Sequence, residues 1–167
     1  MKSIIVAYDV DRTIGLEGHL PWEGRVPADM QHFKTLTNGH PVIMGRRTFD
    51  SLPEAYRPLP NRQNIVMSLS ATAIKGVEIA RSLDGAYEIA DEDPFIIGGA
   101  DVYRQALPTV DRVYVTEIVA RTIGGDAFFP KLPKEEWEIS DVKDFQPDAH
   151  NTLAYSFVTY DRRNPIQ

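Results

Sequence analysis

A carboxylate that shares a helix face with apolar residues is the feature of this sequence with the clearest chemical potential. Pro27 suits the first position of a helix, because the N–H that proline lacks would have no partner there. In the helix that follows, Asp29, Phe33 and Leu36 lie at positions i, i+4 and i+7 and share one face. The opposite face carries the polar residues Gln31, Lys34 and Asn38. The pattern therefore predicts that Asp29 points inward with its apolar neighbours.

Two explanations of Asp29 are open at this point. An ionised carboxylate in an apolar environment is costly unless it is paired and hydrogen-bonded, so an inward-facing acid indicates a functional site. An acid in the first turn of a helix also has an ordinary structural role, because it stabilises the helix dipole by about 0.3–1 kcal/mol. The rest of the chain has to decide between them.

Two glycine-containing turns follow short apolar runs that read as strands. The sequence GRRT at 45–48 follows PVIM, and GGAD at 98–101 follows PFII. In a parallel sheet such turns lie at the carboxyl ends of the strands, where ligands bind. The helix N-terminus after each turn offers free N–H groups that suit phosphates, and glycine lets a ligand approach the backbone. Together the two turns predict an anionic ligand.

Several common catalytic motifs are missing from the sequence. No G-x-G-x-x-G follows a strand, and neither a G-x-x-x-x-G-K-[ST] loop nor a G-x-S-x-G elbow occurs. The histidines are scattered without the spacing of metal ligands: His19, His32, His40 and His150. We interpret them as surface or loop residues and predict no metal site.

Composition indicates one domain over residues 1–167. An apolar content of 43% with 25% charged residues is ordinary for a globular protein that builds its own core. The net charge of −6 argues against nucleic acid as a partner. The absence of cysteine excludes disulfides and thiolate chemistry and suits the cytoplasm. No apolar run is long enough for a membrane span, so we expect no membrane partner.

The elements that must position these residues alternate along the chain. Short apolar runs predict strands at 3–8, 41–44, 64–67, 77–80, 94–97 and 113–118, and alternation predicts a terminal antiparallel pair at 137–145 and 152–160. Helices are expected at 27–38, 46–52, 82–90 with Ser82 as N-cap, and 100–107. Long loops are expected at 9–26 and 52–62. This order predicts an α/β domain with a largely parallel sheet covered on both faces, and it leaves the strand order open.

Several segments in register resemble one enzyme family. They are LPW at 20–22, PAD at 27–29, FK at 33–34, PVIMGRRTF at 41–49, RPLP at 57–60 with Arg62, IGGA at 97–100 with Tyr103, LP at 107–108 and GD at 125–126 with FP at 129–130. In this order and spacing the chain resembles dihydrofolate reductases over nearly its whole length. The resemblance implies a mostly parallel eight-stranded sheet with flanking helices and a C-terminal antiparallel hairpin.

The resemblance also implies a reaction, in which a hydride passes from NADPH to the pterin ring of 7,8-dihydrofolate and a proton is added to the adjacent ring nitrogen. Asp29 matches the carboxylate that accepts hydrogen bonds from the pterin 2-amino group and ring N–H, while a water delivers the proton. Thr116 matches the residue that steadies this carboxylate, and Trp22 the residue that closes the site and holds ordered water. The product would serve one-carbon metabolism and thymidylate synthesis.

Further roles carry over by position. Substrate contacts are implied for Ile5, Ala7, Met30, Phe33, Leu52, Leu59, Arg62 and Ile97, with Arg62 pairing the α-carboxylate of the glutamate tail. Cofactor contacts are implied for Ala7, Ile14, Leu20, Gly45, Arg46, Arg47, Thr48, Ser68, Arg81, Gly98, Gly99, Ala100, Asp101, Val102 and Tyr103. Among these, Arg46, Ser68 and Arg81 match positions near the adenosine 2′-phosphate of NADPH. Gly98 and Gly99 match a pair of residues that a cis peptide bond joins. The chain is expected to be a monomer.

Two other functions are kept as alternatives. A reductase of related fold could act on a riboflavin precursor, although that reading gives no reason for Asp29 on the apolar face or for Arg62. A non-catalytic module could bind a nucleotide or a folate, because a fold alone does not fix a function.

Overall fold

One eight-stranded sheet organises the computed structural model, which describes residues 1–165. The strands are β1 (Ser3–Tyr8), β2 (Thr13–Gly15), β3 (Val42–Gly45), β4 (Asn64–Met67), β5 (Glu78–Ala80), β6 (Phe95–Gly98), β7 (Arg112–Ile118), β8 (Ala127–Phe128), β9 (Trp137–Phe145) and β10 (Tyr155–Arg162). The helices are α1 (Pro27–Thr37), α2 (Arg46–Ser51), α3 (Leu83–Ile89) and α4 (Ala100–Ala106), with 3-10 turns at Glu54–Tyr56 and Leu107–Thr109.

The strand order across the sheet is β5-β4-β3-β6-β1-β7-β10-β9. Neighbours from β5 to β7 are parallel, whereas β10 pairs antiparallel with both β7 and β9. The predicted fold class is therefore confirmed: a mostly parallel eight-stranded sheet with flanking helices and a C-terminal antiparallel hairpin.

Alternate residues of the central strands supply two different cores. On β1, Ile4 and Val6 pack with residues of α3 and α4, whereas Ile5 packs on the other face, toward Phe33 of α1 and Phe49 of α2. Successive side chains of a strand point to opposite faces, so a strand covered on both sides has to be apolar throughout. This is why the inner strands appear in the sequence as unbroken apolar runs.

Helix α1 begins and ends close to the predicted positions. Pro27 lies in its first turn, and the Asn151 side chain accepts a hydrogen bond from the Ala28 N–H at 2.9 Å, which satisfies one of the free donors at the helix start. Asn38 follows the last helical residue, and Gly39 takes a φ of +81° that favours glycine. At the start of α3, the Ser82 hydroxyl accepts from the Gly85 N–H at 3.0 Å, which confirms the predicted cap.

One predicted loop and the predicted start of the last strand are wrong. The 9–26 segment is not entirely irregular, because β2 pairs with β8 in a separate two-stranded ladder. The last strand begins at Tyr155 rather than at residue 152, because the Thr152 N–H donates to the Arg25 carbonyl at 2.9 Å instead of to the sheet. Both departures depend on partners more than a hundred residues away in sequence, which local patterns do not reveal.

Candidate active site

An open cleft of about 860 Å³ lies at the carboxyl end of β1 and β6, between α1 and the 52–62 segment. A cleft of this size is typical of small-molecule sites. The predicted site residues that line it are Ile5, Ala7, Leu20, Asp29, Met30, Phe33, Thr48, Leu52, Leu59, Arg62, Ile97 and Tyr103. These residues come from separate elements of the chain, and the fold brings them together around one cavity.

Asp29 is the acid of this cleft. As a residue it is half-buried, but burial of its carboxyl group raises its pKa above the usual range, while a hydrogen bond from Thr116 acts to lower it. Thr116 lies on β7 and is itself buried. An acid whose only role is to stabilise the helix dipole would face water. The buried carboxyl group of Asp29 therefore does not fit that role alone.

Tyr103 joins the two strands on which the cleft rests. Its hydroxyl lies 2.9 Å from the Ile5 carbonyl on β1 and 2.8 Å from the Ile97 carbonyl on β6, and the single hydroxyl proton is shared between them. Burial, with a further contribution from the charge of Asp29, raises the pKa of Tyr103, so the phenol stays neutral and a donor. The hydroxyl therefore holds two backbone carbonyls at the floor of the cleft.

The other end of the cleft carries a cation over an aromatic ring. The Arg62 guanidinium lies 5.8 Å from the centre of the Phe33 ring, and within residues 1–165 its Nε has no hydrogen-bond partner. Burial lowers the pKa of Arg62 from its usual value. Leu52 and Leu59 pack in the same core cluster as Phe33. This part of the wall is apolar, and the Arg62 guanidinium beside it can bind an anion.

The predicted phosphate-binding residues follow neighbouring parallel strands. Gly45 ends β3 and Gly98 ends β6, while Ser68 follows β4 and Arg81 follows β5. These strands are adjacent in the order β5-β4-β3-β6, so the four positions lie along one edge of the sheet. The two glycine turns that the sequence singled out therefore belong to one surface.

The two glycine turns also approach each other closely. A Cβ added to Gly45 would lie 3.3 Å from a methyl group of Val102, and a Cβ added to Gly99 would lie 3.3 Å from the Thr48 hydroxyl. The peptide bond between Gly98 and Gly99 is cis, as the resemblance implies. A side chain at Gly45 or at Gly99 would therefore narrow the space beside the first turns of α2 and α4.

Comparison with known proteins agrees with this geometry. A family model described as dihydrofolate reductase matches residues 1–162. A dihydrofolate reductase of Bacillus subtilis is 38% identical over 98% of this chain and 96% of its own length. A dihydrofolate reductase of Staphylococcus aureus is 36% identical over 93% of this chain and 94% of its own length. The chain belongs to the dihydrofolate reductase family. It is therefore an enzyme of the oxidoreductase class.

In this member of the dihydrofolate reductase family, some predicted residues lie outside the cleft wall. Trp22 is buried with Val26 and Ile118 rather than lining the cleft, and its indole N–H has no acceptor within residues 1–165. Ile14 packs against the core that α3 and α4 cover, and Val102 is buried. Their predicted roles stay predictions.

Charged residues near the glycine turns already have partners on the surface. The Arg46 Nε lies 3.0 Å from both carboxylate oxygens of Asp50, and Arg104 pairs with Asp101 at 2.6 Å. Arg81 donates to the Ser68 carbonyl at 2.7 Å. The remaining predicted cofactor residues are Arg47, an exposed residue of α2, and Ala100, the first residue of α4.

The sequence prediction missed part of the cleft. The additional lining residues are Val6, Gln31, Lys34, Thr35, Asn38, Ser51, Pro53, Tyr56, Pro60 and Asn61. Gln31, Lys34 and Asn38, which helical periodicity placed on the face opposite Asp29, thus also line the cleft. Helical periodicity identified the inner wall, but only the position of the 52–62 segment shows how far the cleft extends.

Metal-binding clusters and membrane-spanning helices are both missing from the described part of the chain. Residues 1–165 hold no cluster of three or more His, Cys, Asp or Glu side chains that could bind a metal ion. Over the same residues, no helix has the length and apolar character needed to cross a membrane.

Proposed function

We propose that this chain reduces 7,8-dihydrofolate to 5,6,7,8-tetrahydrofolate with NADPH as the hydride donor. The observation that carries the proposal is Asp29, an acid whose carboxyl group is buried in a largely apolar cleft of a dihydrofolate reductase fold. A buried acid needs a partner to offset its desolvation, and a flat heterocycle with two adjacent N–H donors is a suitable one.

Asp29 binds and orients the pterin in this proposal. Its two carboxylate oxygens accept hydrogen bonds from the 2-amino group and the ring N–H, and Thr116 steadies the carboxylate from behind. The carboxylate promotes protonation of the neighbouring ring nitrogen electrostatically, and a water delivers the proton. The buried Trp22 N–H needs an acceptor, which an ordered water at this position would supply.

The rest of the substrate follows the cleft outward from Asp29. Ile5, Ala7 and Ile97 lie beside the pterin ring, while Phe33 packs on the pterin and benzoyl rings. Leu52 and Leu59, together with Met30, line the benzoyl section. Arg62 binds the α-carboxylate of the glutamate tail, because its guanidinium borders the cleft without a carboxylate partner among residues 1–165.

The residues along the β5-β4-β3-β6 edge fit an extended polyanion. Gly45 and Gly99 leave space that side chains would fill, and α2 and α4 begin directly after them with free N–H groups, which suit phosphates. Arg46, Arg47 and Arg81 supply positive charge, and Thr48 a hydroxyl. When bound, NADPH supplies the hydride; Ile14, Leu20 and Tyr103 exclude water around the nicotinamide. The net charge of −6 does not oppose this, because the local potential decides binding.

A spectrophotometric assay tests the proposal. Purified chain with NADPH and dihydrofolate should consume NADPH, whereas a riboflavin precursor in place of dihydrofolate should give no consumption above background. Tight NADPH binding by calorimetry without turnover would favour a non-catalytic binding module, and turnover on the riboflavin precursor alone would refute the assigned substrate. We further propose that the chain is a monomer, which gel filtration would test, and that it is cytoplasmic, which cell fractionation would test.

A further inference from the structure

The first turn of α1, the helix that carries Asp29, depends on a side chain from a distant part of the chain. Val26 before the helix has no side-chain acceptor, and Pro27 has no N–H to donate. The Ala28 N–H donates to the Asn151 Oδ1 at 2.9 Å. The Asp29 N–H donates to the Val26 carbonyl at 3.1 Å. The Asn151 amide is therefore the side chain that caps the start of this helix.

Asn151 is buried in the loop between β9 and β10, 123 positions from Ala28. Its Nδ2 lies 3.2 and 3.3 Å from the two carboxylate oxygens of Asp148 and donates to them. The reverse orientation of the amide would set its NH₂ against the Ala28 N–H and its oxygen against the carboxylate. The Asn151 amide therefore has one favourable orientation, in which its oxygen points to the helix.

Asp148 holds the loop in the shape that presents Asn151. Its Oδ1 accepts from the Asn151 N–H at 2.7 Å and from the His150 N–H at 2.8 Å. These backbone donors hold the pKa of Asp148 below its usual value, so the carboxylate is ionised at neutral pH. A local aspartate turn explains these bonds. It does not explain the long-range bond from Ala28 to Asn151.

Apolar contacts bring the same loop to the acid of the cleft. Leu153 and Ala28 pack against one buried cluster that includes Ile118, the last residue of β7. Thr116, which donates a hydrogen bond to Asp29, lies two residues earlier on that strand. The loop, the first turn of α1 and the end of β7 are therefore packed together beside the Asp29 carboxylate.

Asp29 directly follows the residue whose N–H Asn151 binds. Its contact with Thr116 and its proposed bonds to the pterin both need the carboxylate in one place, because hydrogen bonds weaken steeply as their geometry departs from the optimum. A displacement of about 1 Å in a positioned group can cost about a hundredfold in rate. A shift of the first turn of α1 would move the Asp29 carboxylate relative to Thr116, which the sheet holds in place.

We propose that Asn151 is a positioning residue, which caps α1 from the loop between β9 and β10 and thereby holds the Asp29 carboxylate where it binds the pterin. The pterin part of this inference rests on the proposed function. The positioning part does not, because it concerns only contacts within the chain.

Asn151→Ala removes the acceptor of the Ala28 N–H. We expect the dissociation constant for folate, measured by calorimetry, and the KM for dihydrofolate to rise about threefold to tenfold. At saturating NADPH, kcat/KM for dihydrofolate should fall by a similar factor. In an Asp29→Asn background the same change should lower kcat/KM by less than about twofold, because residues that act through one group are not additive. A purely structural role would lower kcat/KM equally in both backgrounds.

Ser82→Ala is the matched control. It removes the equivalent bond at the start of α3, where the Ser82 hydroxyl accepts from the Gly85 N–H at 3.0 Å, and none of the residues Leu83–Ile89 lines the cleft. Each variant loses one bond at a helix start, so both should melt about 2–4 °C below the wild type. Ser82→Ala should keep the wild-type dissociation constant for folate, whereas Asn151→Ala should not.

Asp148→Asn tests the same arrangement if Asn151→Ala fails to fold. Its remaining oxygen can keep the local turn, but its NH₂ faces the NH₂ of Asn151 and weakens the contact that orients that amide. We expect the dissociation constant for folate to rise about twofold to threefold in this variant.

Amide hydrogen exchange without ligand completes the test. The Asp29 N–H donates to Val26 rather than to Asn151, so its exchange reports on the whole first turn of α1. It should exchange about threefold faster or more in Asn151→Ala or, failing that, in Asp148→Asn, and at the wild-type rate in Ser82→Ala. Unchanged exchange at Asp29, or the same dissociation constant for folate as in the Ser82→Ala control, would overturn the inference. A wild type that does not oxidise NADPH with dihydrofolate would instead count against the proposed function, and the exchange result would still decide the positioning role.

Discussion

Replacing Asp29 with asparagine keeps the size of the side chain and removes its charge. In the proposed complex, two N–H donors of the pterin meet two carboxylate oxygens, and each such charge-assisted bond contributes about 1.5–3 kcal/mol. Asparagine retains one acceptor and presents its NH₂ to the second donor. The net loss is about 3–5 kcal/mol, which lowers kcat/KM for dihydrofolate by about two to four orders of magnitude at neutral pH.

The same replacement should stabilise the fold at neutral pH. Burial raises the pKa of Asp29 above its ordinary value of 3.8, so folding favours the protonated acid. Stability that is fully present below the unfolded-state pKa is therefore lost as pH rises through the raised folded-state pKa. Asparagine does not titrate, so the variant should melt at a higher temperature than the wild type at about pH 8, and the difference should shrink by about pH 4.

The assay combines steady-state kinetics with thermal unfolding across this pH range. Asp84→Asn is the matched control, because Asp84 also lies in the first turn of a helix but is exposed. It should keep its activity and gain no stability. An Asp29→Asn variant that retains more than about a tenth of the wild-type kcat/KM, or that melts below the wild type at neutral pH, would refute the reasoning.

Three further changes probe neighbouring side chains. Thr116→Val removes the hydrogen bond that lowers the Asp29 pKa, so the acid limb of the pH–activity profile should move to higher pH, and an unmoved limb would contradict the contact. Arg62→Leu should raise the KM for dihydrofolate about tenfold to a hundredfold with little change in kcat, and an unchanged KM would remove Arg62 from the site. Tyr103→Phe leaves two strand carbonyls without their shared donor and should reduce the free energy of unfolding by about 1–2 kcal/mol in urea titrations; equal stability would show that water replaces the hydroxyl.

Local sequence signals predicted the parts of this fold that local forces determine. The inner strands appeared as apolar runs because helices cover both faces of the sheet, and Ser82 marked the start of α3 because a serine hydroxyl satisfies a free N–H there. The face shared by Asp29 and Phe33 followed from helical periodicity alone.

Features that depend on distant partners could not be predicted in this way. The β2–β8 ladder joins strands of three and two residues that have no pattern of their own. The strand order became known only from the structure, since short apolar runs do not encode their neighbours. No local pattern predicts the hydrogen bond from the Thr122 N–H to the Asp9 carboxylate, because the two residues lie 113 positions apart in the sequence.

The proposed role of Asp29 requires direct contact with the pterin, and a crystal structure of the chain with folate and NADP⁺ would measure it. We expect the two carboxylate oxygens to lie about 2.7–3.2 Å from the pterin 2-amino nitrogen and the adjacent ring nitrogen. A pterin that binds with these nitrogens turned away from Asp29, at distances beyond about 4 Å, would contradict the account.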